Sequence, residues 1–556
     1  MGKYLNPNNN SYNKFYNGRI KNDRVFVDKS LVIEKINCLF NGEDKYLCVS
    51  RPRRFGKTLI MSLLVAFYSK GCDSRPLFEN LKIAQTPNWD KKLNKYNVIN
   101  LDIKSIYGDV ENYNLDLKDT LNQYVLNEMI LEFPDIDFDG IINIKKAIQR
   151  IYDKTKEQFI IIIDEYDYLI RKKVSKLLID EYLEFLSDLF KSGDTEDEVA
   201  LAYLTGILPI INNDKVQSNL SVFDEYSVVK PKLLAGYIGF TEDEVKEVCI
   251  KHNMKFKEMK SWYNGYNIGG ITVYNSNSIS EAVKDGFCSN NWGSTGSFEV
   301  ITDYIIEYKD NDNKKETENK NENKSEEDII DEITALIAGG KISTPISSNR
   351  KILNFSLKES VYTYLIHIGY LTYNYKTHEC YIPNKELFLE WSNALYTSES
   401  ESIKPLREIY EHSIDLLNYT ANKNSSEVIR LLNYFYKKYF TFITYDKENS
   451  FKTSLAIFYG FGIDVRENYL PIKEFPSNQK RIDFLLLPVS NRDTAIIIEL
   501  KYEKCEEEAV EQIKERNYGI DLTPYKKNMV IVGLNYNKDA ENDEDRFECT
   551  IEDYKD

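Results

Sequence analysis

Residues 47–59 read LCVSRPRRFGKTL, in which an apolar run passes through a short basic turn into a helical pattern. Gly56 lets the backbone come close to a phosphate group, and the first free amides of the following helix point at the anion. Lys57 is placed to bridge two phosphates, and Thr58 offers a hydroxyl to magnesium. The segment therefore predicts a phosphate-binding loop.

The loop departs from the usual pattern G-x-x-x-x-G-K-[ST], because Arg51 replaces the first glycine. The guanidinium groups of Arg51, Arg53 and Arg54 suit an anion, although a solvated basic turn is the plainer alternative. The residues predicted to bind the nucleotide are Arg53, Arg54, Phe55, Gly56, Lys57, Thr58, Leu59 and Thr205.

A second segment, residues 158–165, reads QFIIIIDE and predicts a buried strand that ends in two carboxylates. Asp164 is placed to hold magnesium through water, and Glu165 can polarise the attacking water. Neither motif is decisive alone, but together they predict an ATP and Mg²⁺ site in which Glu165 is catalytic and Thr58 and Asp164 bind the metal. Thr205 ends a later strand and is either a γ-phosphate or water contact, or a satisfied strand-end threonine. No arginine finger can be identified.

Short β-branched runs alternate with helical stretches through the first half of the chain. Strands are predicted at 44–50, 97–102, 158–164 and 199–205, with a helix at 58–68. This alternation is typical of a mostly parallel sheet with crossover helices. The predicted fold class is α/β, with an αβα core of the P-loop type.

One segment interrupts the globular composition. Residues 309–328 are almost entirely Asn, Lys, Glu and Asp, so they cannot bury apolar surface and are expected to be disordered. The predicted organisation is an N-terminal P-loop domain at 1–300, the insertion at 301–328, a helical or winged linker at 329–434, and a small α/β domain at 435–556.

A cluster of charged residues lies on two predicted strands near the C-terminus, at 481–487 and 494–500. Residues two apart on a strand share a face, so Glu499 and Lys501 project together, and Asp483 on the neighbouring strand can join them. Two carboxylates suit Mg²⁺, which could activate water against a phosphodiester. Lys501 would help orient or deprotonate that water. The plainer alternative is a solvated Glu-x-Lys face.

Several motifs between residues 26 and 386 resemble the AAA-ATPase-like family. They are FVDKS (26–30), RPRRFGKT (51–58), SWYNGY (261–266), YNS (274–276) and IPNKE (382–386). The resemblance implies an ATP-binding αβα core with a helical extension, and the first glycine of the loop is routinely absent in this family. Residues 262–266 are interpreted as aromatic packing of a lid, with Gly265 at a turn, in preference to a substrate-contacting loop.

The C-terminal motifs resemble the PD-(D/E)XK nuclease domain, in the version attached to such ATPase-like domains. They are Asp483, ELK (499–501), EAVEQI (508–513), Tyr518 and MVIVG (529–533). The resemblance implies a restriction-endonuclease-like fold with catalytic residues Asp483, Glu499, Lys501 and Gln512, of which Asp483 and Glu499 bind the metal. Tyr518 matches a position that lines the active site, and Glu467 is a further candidate ligand.

Composition limits the classes of partner. The formal charge of −16 over 556 residues argues against a generally basic nucleic-acid coat, but not against a nuclease with an acidic site. The eight cysteines are scattered without a CxxC pair, which favours reduced thiols. No signal peptide and no apolar run of membrane-spanning length is found, so an intracellular protein, cytoplasmic or nuclear, without a membrane partner is expected.

The leading hypothesis is an ATP-binding P-loop ATPase coupled to a metal-dependent nuclease that acts on nucleic acid, with DNA favoured over RNA. The alternative is a nucleotide-switched DNA- or protein-binding module whose nuclease-like domain is inactive. A third hypothesis is a signalling ATPase that contacts protein only. A homo-oligomer is compatible with the sequence.

Overall fold

The structure is a computed structural model. It describes residues 2–21, 24–190, 197–210, 220–292, 332–333, 335–337, 339–346, 352, 357–397, 404–439, 455, 458–459, 469–477, 480–488, 493–516, 522, 525, 528–540, 542 and 545–554. The predicted disordered insertion at 301–328, Glu467 and Tyr518 lie outside these residues. Within the described ranges, no helix is both long enough and apolar enough to cross a membrane.

The chain divides into two compact units. The first comprises Met1–Ser294 with Ser343–Glu386, and the second comprises Thr295–Ile342 with Leu387–Asp556. Residues 343–386, from the predicted linker region, thus group with the first unit. Two elements, β9 (Ile342–Ser343) and α14 (Lys385–Thr397), span points where the chain passes from one unit to the other.

The first unit contains the P-loop motif. Its helices are α1 (Asn10–Lys21), α2 (Val32–Asn37), α3 (Lys57–Tyr68), α4 (Arg75–Phe78), α5 (Ile103–Tyr113), α6 (Leu117–Glu132), α7 (Ile144–Thr155), α8 (Tyr168–Arg171), α9 (Lys176–Phe190), α10 (Glu242–Lys251), α11 (Phe256–Tyr263), α12 (Ser276–Asp285) and α13 (Lys358–Ile368). Its strands are β1 (Tyr46–Ser50), β2 (Asn97–Asp102), β3 (Phe159–Asp164), β4 (Val199–Gly206), β5 (Asp224–Tyr226), β6 (Phe240–Thr241), β7 (Tyr266–Ile268), β8 (Ile271–Tyr274), β10 (Thr372–Asn374) and β11 (Glu379–Tyr381).

The central sheet of this unit is parallel, with strand order β2-β3-β4-β1-β5. Strands β1, β3 and β4 are buried along their whole length, which explains their nearly continuous apolar sequences. In an open parallel sheet the ligand site lies beyond the carboxyl ends of the strands. The phosphate loop follows β1 and the carboxylate pair ends β3, so both motifs lie at that edge.

The second unit contains the predicted nuclease-like cluster. Its elements are helices α15 (Lys404–Ala421), α16 (Ser425–Tyr439) and α17 (Glu506–Glu515), and strands β12 (Tyr469–Ser477), β13 (Lys480–Pro488), β14 (Ala495–Tyr502), β15 (Met529–Tyr536) and β16 (Phe547–Asp553). The strands form one sheet in the order β12-β13-β14-β15-β16, in which only β14 and β15 are parallel. Helix α17 connects these two strands, and its Val510 and Ile513 pack in the same core as Ile497 and Ile531.

The α/β fold class predicted from the sequence is confirmed, with small shifts at element ends. Strand β2 has the predicted bounds, and the two predicted C-terminal strands are neighbours, as β13 and β14. The charged sequence from residue 503 indicates a helix, but the helix begins only at Glu506. The reason is that Glu503 adopts a left-handed conformation with φ 55°, and Cys505 is extended at the N-cap.

Candidate nucleotide and metal sites

The phosphate loop is held in a specific backbone conformation before α3. Gly56 has φ 91° at the N-cap of that helix, a conformation that glycine adopts without strain. Arg54 also has a positive φ, of 66°. Two contacts fix Arg54: its Nη1 donates to the Asn291 carbonyl at 3.0 Å, and its own carbonyl accepts from Ser276 Oγ at 3.0 Å.

The Lys57 ammonium lies inside the loop. Its Nζ donates to the carbonyls of Arg51 at 3.0 Å and Pro52 at 2.9 Å. Burial lowers the pKa of Lys57, and the nearby carboxylates of Glu165 and Asp164 partly oppose that change. A buried ammonium held only by two carbonyls can exchange them for phosphate oxygens, which are stronger acceptors.

Thr58 and Asp164 meet between the loop and β3. Thr58 Oγ1 donates to Asp164 Oδ2 at 2.9 Å, so the two oxygens predicted to serve magnesium are adjacent. Burial raises the pKa of Asp164 to about 6, against the lowering effect of the Thr58 hydrogen bond. A hydroxyl beside a desolvated carboxylate fits a hard divalent cation, which stabilises the charged form of the carboxylate.

Thr205 lies near the end of β4, between the two motifs. In the register of the sheet it pairs with Val49 on one side and with Asp164 on the other. Its Oγ1 is buried and has no hydrogen-bond partner in the part of the chain that the structure describes. A free hydroxyl at this position suits a contact to nucleotide or water. Its role there stays a prediction.

Glu165 takes part in an ion-pair network that the sequence did not suggest. It has φ 52°, and its Oε2 pairs with Arg171 Nη2. The Arg171 Nε also donates to Asp167 Oδ2 at 2.8 Å. The only sequence signal was the spacing of four residues between Asp167 and Arg171, which places them on one helical face.

The proposed anion contact of Arg51 is wrong. Arg51 is completely buried, and its guanidinium donates to three backbone carbonyls, those of Ser50 and Tyr226 at 2.8 Å and of Leu234 at 3.3 Å. Burial lowers its pKa to about 10. The guanidinium faces the interior because it satisfies these carbonyls, so it is not available to phosphate. Arg53, by contrast, is exposed.

A cavity of about 560 Å³ includes the whole predicted nucleotide-binding loop. The charged residues of its lining include Lys57, Glu165 and Arg171, and the apolar residues include Val25 and Val27. The remaining lining residues are Phe15, Lys29, Arg53, Arg54, Phe55, Gly56, Thr58, Leu59, Ile60, Lys104, Tyr168, Tyr237, Gly239, Phe240, Ser276, Asn277 and Ser280. A lining that contains both charged and apolar residues suits a nucleotide.

The C-terminal carboxylates meet across β13 and β14. The Leu500 amide donates to Asp483 Oδ2 at 2.9 Å, and the Asp483 amide approaches Glu499 Oε2 at 3.4 Å. Burial raises the pKa of Glu499 to about 7, and the Asp483 charge adds to this effect. Two adjacent carboxylates, one of them desolvated, fit a divalent cation that would remove their repulsion.

Two further side chains lie beside this pair. Lys501 Nζ donates to Gln512 Oε1 at 2.8 Å, which brings together two residues predicted from the resemblance. Arg516 was not predicted, and its Nη1 lies 3.5 Å from Glu499 Oε1. Its position four residues after Gln512, at the end of α17, is the sequence signal that could have identified it.

Comparison with known proteins matches a different family to each of the two units. Residues 13–215 match the AAA-ATPase-like family, described as a predicted AAA-ATPase, and residues 447–545 match the PD-(D/E)XK nuclease superfamily. The fusion expected from the sequence is therefore confirmed. An uncharacterized protein in the vnfD 5′ region of Azotobacter chroococcum mcd 1 is 25% identical over 290 residues, which cover 51% of this chain and 53% of the relative.

Proposed function

We propose that this chain is an ATP-hydrolysing P-loop protein whose nucleotide state regulates a magnesium-dependent nuclease site. The observation that supports the proposal is that each unit brings together a pair of residues predicted to bind metal. Thr58 meets Asp164 in the first unit, and Asp483 meets Glu499 in the second. Reactions at a phosphoryl group use carboxylate or hydroxyl oxygens that bind a metal ion, together with a lysine that stabilises negative charge.

At the first site, the residues of the chain bind and orient the nucleotide. Lys57 donates to the phosphate oxygens, and Thr58 with Asp164 supplies the metal ligands. Glu165 accepts a proton from the attacking water, and Thr205 contributes its free hydroxyl to the same region. Magnesium, when bound, neutralises part of the negative charge of the phosphates.

At the second site, Asp483 and Glu499 hold the metal. Lys501, held by Gln512, orients the attacking water next to the scissile phosphodiester. Arg516 offsets the charge of Glu499. DNA is the proposed substrate in preference to RNA.

The test measures ATP turnover and cleavage of labelled DNA and RNA on the same preparations. Lys57→Ala is expected to abolish ATP turnover, while Lys70→Ala, which removes an exposed ion pair with Glu157, leaves it unchanged. Lys501→Ala is expected to abolish metal-dependent cleavage, while Lys504→Ala, an exposed neighbour, does not.

Two outcomes would overturn parts of the proposal. Full ATP turnover in Lys57→Ala would show that the loop is not the hydrolytic site. Absence of cleavage with every substrate and metal, together with intact ATP turnover, would favour the alternative, a nucleotide-switched binding module with an inactive nuclease-like domain.

A further inference from the structure

Arg171 lies in the wall of the nucleotide cavity and is nearly buried. Its side chain is 10% exposed, and its guanidinium lies 5.9 Å from the centre of the Tyr168 ring. The two carboxylates that it contacts differ in their surroundings: Asp167 is completely buried, whereas the Glu165 side chain is 26% exposed.

The contact with Asp167 is a fixed anchor. Asp167 Oδ2 accepts hydrogen bonds from the Ile207 amide at 3.0 Å, the Leu208 amide at 2.8 Å and Arg171 Nε at 2.8 Å. The two amides belong to the segment directly after β4. Because three donors share one buried carboxylate oxygen, Arg171 Nε is held in place relative to the sheet.

The contact with Glu165 is, by contrast, exchangeable. Only Nη2 of the guanidinium reaches the Glu165 carboxylate. Arg171 Nη1 donates to no group among the residues that the structure describes. Besides the anchored Nε, the guanidinium therefore has two terminal nitrogen donors, and one of them is occupied by the predicted general base.

We propose that Arg171 distinguishes a nucleoside triphosphate from a diphosphate by exchanging Glu165 for the terminal phosphate. This inference rests on the proposed function, because it needs a nucleotide in the cavity. A phosphate group carries more charge than a carboxylate and accepts two parallel hydrogen bonds from a guanidinium, so it displaces the more exposed carboxylate. The anchor on Asp167 persists during the exchange.

The exchange couples recognition to hydrolysis. In the nucleotide-free protein, Glu165 is paired and cannot accept a proton from water. Once the guanidinium turns to the terminal phosphate, the carboxylate is released at the position where the attacking water must be deprotonated. A diphosphate lacks the terminal group, so Glu165 stays paired.

The test compares equilibrium binding of ADP and of the β,γ-imido analogue of ATP, both with Mg²⁺. Arg171→Ala is expected to weaken binding of the analogue at least about tenfold more than binding of ADP, the usual size of a lost charge-assisted hydrogen bond. Lys172→Ala is the matched control, because this adjacent lysine pairs with Glu111 on the exposed surface. It should leave the affinity ratio of the two nucleotides unchanged.

Arg171→Gln provides a second variant that can still donate to Asp167, in case the alanine variant does not fold. It should show the same decrease in affinity for the ATP analogue relative to the affinity for ADP. An unchanged ratio in a folded Arg171 variant would overturn the inference while leaving the proposed function intact. Failure of the unmodified protein to bind either nucleotide would instead overturn the proposed nucleotide site itself.

Discussion

Neighbouring arginines in the phosphate loop have opposite environments. Arg51 is completely buried and donates to three backbone carbonyls from separate parts of the first unit, whereas Arg53 is exposed in the wall of the cavity. Removing the Arg51 side chain deletes its hydrogen bonds to buried carbonyls, whereas removing the Arg53 side chain changes only an exposed position. The two positions therefore separate a structural role from a ligand-facing one.

Arg51→Ala is expected to lower the free energy of unfolding by about 3 kcal/mol or more, because the three hydrogen bonds that its guanidinium donates to buried carbonyls are lost. Arg53→Ala should change it by less than about 0.5 kcal/mol, as exposed substitutions usually do. Urea unfolding of the two variants measures the difference. Equal stabilities would contradict the internal role given to Arg51.

Glu499 predicts a pH dependence of stability in the absence of divalent metal. Burial raises its pKa from 4.5 to about 7, so between these values the folded protein binds a proton that the unfolded chain has released. Its contribution to the free energy of unfolding therefore falls as the pH rises through this window, by about 3 kcal/mol in total.

Glu499→Gln removes this titration and keeps the side-chain shape. In EDTA, the variant should be more stable than the unmodified protein at pH 8 and closer to it at pH 5, as measured by urea unfolding at each pH. A stability difference that does not change with pH would contradict the raised pKa.

Short-range motifs predicted the central residues of both sites. Lys57 and Thr58 could be predicted because the loop and the helix after it are continuous in sequence. Glu499 and Lys501 could be predicted because residues two apart on a strand lie on the same face. Arg171 and Arg516 were missed. A spacing of four residues, from Asp167 or from Gln512, was the local signal for each of them, but it does not encode the carboxylates that tertiary packing brings to the guanidinium.

At the scale of elements, the turn between α11 and β7 is sterically demanding. Gly265 has φ 122°, and a Cβ built there would lie 2.2 Å from the Pro383 carbonyl oxygen. This close approach of backbone to backbone explains why a glycine interrupts the aromatic segment at 262–266. It agrees with the interpretation of that segment as packing.

Gly265→Ala is expected to cost about 2–4 kcal/mol of unfolding free energy, from the strained φ and from the displaced backbone. Gly140→Ala is the control, since Gly140 has φ 69° but no heavy atom within 4 Å of a built Cβ. The control should lose only about 1–2 kcal/mol, the cost of the left-handed conformation. Thermal or urea unfolding distinguishes them, and equal losses would argue against the steric contact.

Element types followed from the sequence, but the order of strands did not. Alternating apolar runs and helices predicted the parallel sheet, and β2 was located to the residue. That β4 lies between β1 and β3 could not be predicted, because pairing depends on packing between segments far apart in the chain. This order places Thr205 between Val49 and Asp164.

At the scale of the whole molecule, one chain carries two candidate phosphoryl-transfer sites, one in each compact unit. Composition predicted enough apolar residues for buried cores, and each unit contains one. It could not show that residues 343–386 group with the first unit, because they follow the polar segment in sequence and join earlier residues only through tertiary contacts. The formal charge of −16 makes metal ions and local basic residues necessary for any approach of nucleic acid.

The most direct test of the central claim is the rate of Mg²⁺-dependent DNA cleavage with and without ATP, in the unmodified protein and in Lys57→Ala. If the nucleotide site regulates the nuclease site, ATP changes the rate in the unmodified protein and has no effect in the variant. A cleavage rate that does not respond to ATP in the unmodified protein would contradict regulation of the nuclease site by the nucleotide site.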